Sequence, residues 1–322
     1  MKKRIVIFLS FAFGISWLIA MVIFLTGKLE NSPVLIPNTG ITLAVVLLSS
    51  GYMWGPALAN ILTRMVTDAG WQDLFLRPQI KSQWRHLLAG WFLPGILCIF
   101  GAILFFLIFP SFYDSGLSFL DEQLVNMGAE NQLSPIQFAL LQTFSALLIS
   151  APINALATFG EEFGWRAFLL PELLPLGKRK ALIFSSVIWG IWHWPVVIMG
   201  HNYGLNYPGY PWMGLLATIW FTVSVGIVFG WLSLKGRSVW PAVLAHGALN
   251  GLAGIGMLFL KDPSPMLLGP TPAGIIGCIP FTILSILILF KIEDKGTLNS
   301  TSKCNFESVR EISCGKISAS LT

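Results

Sequence analysis

Charge is what this chain has least of. Only 11% of its 322 residues are Asp, Glu, Lys or Arg, where a soluble domain carries about 25%. That shortage, with 55% hydrophobic residues and a mean hydropathy of +0.73, excludes a water-soluble globule. It predicts an all-α, polytopic membrane protein with about eight transmembrane helices. Cysteine is scarce as well. Cys98, Cys278, Cys304 and Cys314 have no metal-ligand spacing and are expected as inert thiols, not disulfides. No basic patch interleaves with exposed aromatics, so the net charge of +5 does not imply nucleic-acid binding. A phosphate-binding glycine loop and internal repeats are also lacking.

What is present is a series of apolar runs, and about 20 such residues suffice to cross a bilayer. Eight are found: Ile5–Thr26, Ile41–Leu62, Leu87–Phe109, Ile136–Leu170, Ala181–Met199, Trp212–Leu234, Val239–Leu260 and Ala273–Phe290. The fourth is too long for one straight span, and Pro152 is expected to bend it. The first follows Lys2, Lys3 and Arg4 but is too long for a signal-peptide core, so it is expected to be retained. With the N-terminus in the cytoplasm, all of the 20 Lys and Arg fall inside except Lys28 and Lys261. Cytoplasmic loops are enriched in these residues, so both termini are expected there. Segment 64–86 mixes Trp71, Phe75 and Trp84 with Arg77, Lys81 and Arg85, and is expected to lie on the membrane surface as an amphipathic element. The chain divides into N-terminal transmembrane helices and loops (1–134), a core (135–260), a last transmembrane helix (261–291) and a polar cytoplasmic tail (292–322) expected to be disordered.

Ionisable groups inside such runs are costly, and each is a functional-site candidate. The fourth run carries Glu161, Glu162 and Arg166. If its helix reaches Pro171, Glu161 lies roughly 15 Å from the cytoplasmic end at 1.5 Å per residue. Successive helical residues point about 100° apart, so the two acids cannot face one partner. Glu162 and Arg166 are four apart and share a face, so they can neutralise each other. Glu161 is left without an obvious counter-ion and suits a general base. His193 in the fifth run and His246 in the seventh lie roughly 18 Å and 10 Å in, by the same rise. Asn250 shares a face with His246. His86 and His201 are expected to be interfacial or solvated. The set suits water activation by a carboxylate with histidine assistance, and oxyanion stabilisation by an amide and an imidazole. It equally offers Glu161, His193 and His246 to a divalent metal such as zinc, although the helical H-E-x-x-H arrangement is absent. No cofactor is firmly predicted.

Glu161-Glu162-x-x-x-Arg166, Trp189-x-x-x-His193 and His246-x-x-x-Asn250 occur in that order on separate hydrophobic segments. This ordered set resembles the CPBP family of type II CAAX prenyl proteases, bacteriocin-processing and self-immunity (Abi) proteins, over roughly residues 135–255. The second motif usually begins with Phe, where this chain has Trp189. The resemblance implies an intramembrane endopeptidase of the bacterial cell membrane, open toward the cytoplasm. It implies Glu161 as catalytic base, His193 as its assistant, His246 and Asn250 around the oxyanion, and Glu162 with Arg166 ordering the site. The family is often labelled metalloprotease, but the resemblance favours a metal-free glutamate mechanism. The expected substrate is a membrane-bound peptide or lipopeptide. Two alternatives remain: a non-catalytic self-immunity or scaffold protein, and a proton-coupled transporter, since intramembrane Glu, Arg and His also suit a proton relay.

Overall fold

The apolar runs become helices wherever proline and glycine allow it. The computed structural model describes residues 2–293, apart from 38, 69, 73, 127, 129–131 and 262–265. The polar tail from residue 294, with Cys304 and Cys314, lies outside the described residues. Among the described residues eight long helical segments follow one another: α1 Lys2–Leu25, α2 Leu43–Val66, α3 Ile80–Ile108, α4 Pro135–Leu176, α5 Lys178–Trp192, α6 Trp212–Gly236, α7 Trp240–Phe259 and α8 Ile279–Lys291, with a short helix, Ser118–Asn126, between α3 and α4. A two-stranded hairpin, Val34–Ile36 with Ile41–Thr42, joins α1 to α2. The fold is all-α and polytopic, as expected.

The expected count of eight spans is not confirmed among the described residues. Six of the helices are long and apolar enough to cross a membrane. The other two, α5 and α8, have 15 and 13 residues, or roughly 20 Å at 1.5 Å per residue, short of a ~30 Å hydrocarbon core. In α5 the cause is local. Pro195 has no N–H to continue the ladder, so the helix stops at Trp192 and a five-residue helix, Trp194–Ile198, follows. In α8 the first residues of the apolar run are spent in turns over 271–278. Segment 64–86 is also not a separate amphipathic element. Its start belongs to α2, its end to α3, and the described chain between them has no regular structure. Within α4 the run Ala146–Ser150, just before Pro152, widens to a π turn, and so does Trp165–Leu169.

The site is positioned by α7, which packs against α3 and α4. Two glycines set that approach. A Cβ on Gly90 of α3 would run into the carbonyl oxygen of Pro241, and one on Gly247 would run into that of Ala151. Small residues let backbones of membrane helices come this close. Hydrogen bonds then fix the register. Asn154 Nδ2 donates to Gly247 O at 3.0 Å and Thr158 Oγ1 to Val243 O at 3.1 Å. Asn154, Thr158 and Glu162 are four residues apart and form one stripe of α4 facing α7. Gly247→Ala is therefore expected to cost about 1–3 kcal/mol through overpacking. The check is the thermal midpoint of the detergent-solubilised protein, and an unchanged midpoint would contradict the close approach.

Candidate active site

The acids of α4 sit where water cannot neutralise them. Glu161, Glu162 and Arg166 are 2%, 0% and 3% exposed, and buried charges are tolerated only when paired and hydrogen-bonded. Glu162 Oε1 accepts from Arg166 Nη1 at 3.0 Å and from His246 Nδ1 at 2.9 Å. The predicted pair within one helix is thus a three-membered knot joining α4 to α7. The guanidinium of Arg166 also lies 4.4 Å from the ring centroid of Trp189 and 5.6 Å from that of Phe229, in reach of a cation–π attraction. The π turn over 165–169 begins between Glu162 and Arg166, and such turns are frequent at functional sites.

Glu161 faces elsewhere. The expectation is a Glu161 without an obvious counter-ion, free to work with His193. Its Oε2 accepts the indole N–H of Trp189 at 2.7 Å. Trp189 also links to His193, whose Nδ1 lies 2.8 Å from the Trp189 carbonyl. A carbonyl can only accept, so Nδ1 donates and the neutral ring keeps its lone pair on Nε2. The end of α5 makes this possible, because carbonyls of a last helical turn lack intrahelical partners. The Trp192 carbonyl is taken in turn by the hydroxyl of Tyr52 and by Trp17 Nε1. His246 is fixed the same way: its Nδ1 donates to Glu162, leaving Nε2 for another partner.

His193, His246 and Asn250 line one cavity of about 240 Å³, with Trp189 in its wall. Glu161 and Glu162 are not among its lining residues. Their hydrogen-bond partners Trp189 and His246 are. Among the described residues no Asp, Glu, Lys or Arg lines it. On the other side of the cavity stand His201, Asn202 and Thr271, and the buried hydroxyl of Thr271 has no hydrogen-bond partner. His201, expected to be interfacial or solvated, is exposed and borders this cavity as well. These walls belong to the end of the bundle where α6 starts, opposite Lys178 and Lys235, which begin α5 and end α6. The physical reason is the length of α5: its stop at Trp192 puts His193 at the far end of that helix, not midway along it.

Among the described residues no three His, Cys, Asp or Glu side chains group closely enough to hold a metal ion, Glu161, His193 and His246 included. In both imidazoles Nδ1 has an acceptor and the Nε2 lone pair is left for another partner.

Residues 139–252 match the family model described as type II CAAX prenyl endopeptidase Rce1-like. Over this segment the chain is similar to the CAAX proteases. All six candidate residues, from Glu161 to Asn250, fall inside the matched span. The chain is also similar to CAAX prenyl protease 2 of Methanococcus maripaludis, with 31% identity over 97 residues, 29% of this chain and 35% of that protein. The chain spans about a third of the length of this relative. The CAAX-protease resemblance therefore covers most of α4, all of α5 and α6 and the first part of α7, and leaves α1, α2, α3 and α8 outside.

Proposed function

We propose that this chain is an intramembrane endopeptidase that hydrolyses a peptide bond of a membrane-associated peptide or lipopeptide with a water activated by Glu161. The observation that supports it most is the pair of intramembrane imidazoles on one cavity. Each is oriented through Nδ1 by a fixed acceptor, and Asn250 stands beside them. The match of this segment to the CAAX proteases supports the same reading at family level.

In the proposed reaction the water attacks the scissile carbonyl carbon while Glu161 takes its proton, and His193 Nε2 accepts a hydrogen bond from the same water. The carbonyl oxygen becomes an oxyanion. Asn250 donates to it from the side-chain amide, and His246 donates from Nε2 when the ring carries both protons, with Glu162 behind it as counter-ion. Collapse of the tetrahedral intermediate breaks the C–N bond, and Glu161 returns the proton to the leaving amine. The products are a carboxylate and an amine, and no external reagent besides water is consumed. Arg166 balances Glu162 and positions Trp189, so its role is indirect.

The test is cleavage of candidate membrane peptides by the purified protein, with and without a chelator. A metal-free site predicts that the chelator changes the rate by less than about twofold. Loss on chelation with recovery on added zinc would overturn the metal-free mechanism. Removing one oxyanion donor costs about 10²–10³ in kcat, so Asn250→Ala is expected to fall in that range with little change in KM. An unaffected kcat would remove Asn250 from the proposed oxyanion site.

A further inference from the structure

A second, larger cavity lies at the basic end of the bundle, away from the histidines. It measures about 750 Å³ and is bounded by residues of α5, α6 and α8. Its walls are apolar: Trp231 of α6 and Leu284 and Leu287 of α8 are among them. Three cations stand around it. Lys178 opens α5, Lys235 is in the last turn of α6 and Lys291 ends α8, and all three are exposed. Among the described residues one acid, Glu293, also borders it and has an interaction of its own. The start of α5 adds to the positive field. No side chain caps it at Gly177, so its first N–H groups and the positive end of its dipole face the same region.

We infer that this cavity binds one anionic phospholipid, with its phosphate among Lys178, Lys235 and Lys291 and its acyl chains along Leu284 and Leu287. Two features select a lipid over a free anion. The wall is apolar and continuous with the lipid-facing side of α8, where Ile283, Leu287 and Phe290 are 55%, 49% and 78% exposed. Trp231 sits at the level of the cations, where an indole suits the headgroup boundary. Basic pockets between membrane helices hold anionic headgroups by this combination of charge and apolar contact.

The experiment measures binding of phosphatidylglycerol and phosphatidylcholine to the full chain in neutral detergent, by native mass spectrometry. The expected result is one phosphatidylglycerol retained per chain, preferred at least tenfold over phosphatidylcholine. Lys178→Gln, Lys235→Gln and Lys291→Gln together should abolish that preference. Removing three cations elsewhere, with Lys2→Gln, Lys3→Gln and Lys81→Gln, should change it less than twofold. Leu284→Trp, which fills the wall, should weaken retention with all charges intact. Equal losses in the two lysine sets would make the effect one of net charge and overturn the site. Complete displacement by inorganic phosphate, with Leu284→Trp silent, would assign a free anion and overturn the lipid. The preference of the unaltered chain decides the matter even if a variant misfolds: no preference, no site.

Discussion

Glu161→Gln is expected to lower peptide cleavage by about 10²–10⁴-fold, the usual contribution of a positioned general base. At 1.36 kcal/mol per tenfold this is roughly 3–5 kcal/mol of transition-state stabilisation. The substitution keeps the shape of the side chain. The amide oxygen of Gln can still accept the Trp189 indole N–H that Glu161 Oε2 accepts at 2.7 Å, so α4 and α5 should stay joined. Stability and substrate binding are then expected to persist while kcat collapses. The measurement is kcat and KM on one membrane peptide, with the thermal midpoint recorded on the same sample. A rate within threefold of the unaltered protein would show that Glu161 takes no proton. A fall in the midpoint with no change in kcat per folded molecule would make it a structural residue.

Arg166→Met carries the largest expected effect on stability. Glu162 is fully buried and shares one oxygen between Arg166 and His246. Taking away the guanidinium leaves the carboxylate with only an imidazole, and breaking a buried pair in this way costs about 3–5 kcal/mol. The cation over Trp189 and Phe229 is lost as well. Replacing a whole buried pair by neutral groups is often close to neutral. Arg166→Met with Glu162→Gln is therefore expected to recover most of the loss, because Gln can still accept from His246. A double-mutant cycle on thermal midpoints measures this coupling. If the single substitution is as stable as the parent, or if the two losses simply add, Glu162 and Arg166 do not form the coupled pair described. Activity gives a separate reading. The double variant should stay impaired even when stable, because His246 then lacks a charged partner.

Much of this was legible in the sequence, for reasons particular to each residue. Glu162 and Arg166 lie four apart on one helix, so their pairing follows from helical geometry alone. The stripe Asn154, Thr158, Glu162 has the same spacing and marks the α4 face that meets α7. That spacing is a signal present in the sequence. Trp189 precedes His193 by four, which predicts a shared face, but not that its indole would hold Glu161. The partner of His246 could not be read, since Glu162 is 84 residues away. Nor could the place of His201, which reaches the cavity only because the chain turns back after Trp194–Ile198.

By itself the sequence determined what local rules control. Scarce charge and long apolar runs dictate membrane helices, and helical periodicity separates Glu161 from Glu162 by about 100°. The order of three polar motifs marks the segment related to the CAAX proteases. Only the tertiary structure decided which groups meet. Gly90 and Gly247 let α7 close on α3 and α4, and that approach gives Glu162 a second partner in His246. The early stop of α5 turns the histidine cavity toward the end opposite Lys178 and Lys235. The physical reason is range. Spacing rules act within about one helical turn, whereas the site is assembled from helices whose contacts are fixed by packing across tens of residues.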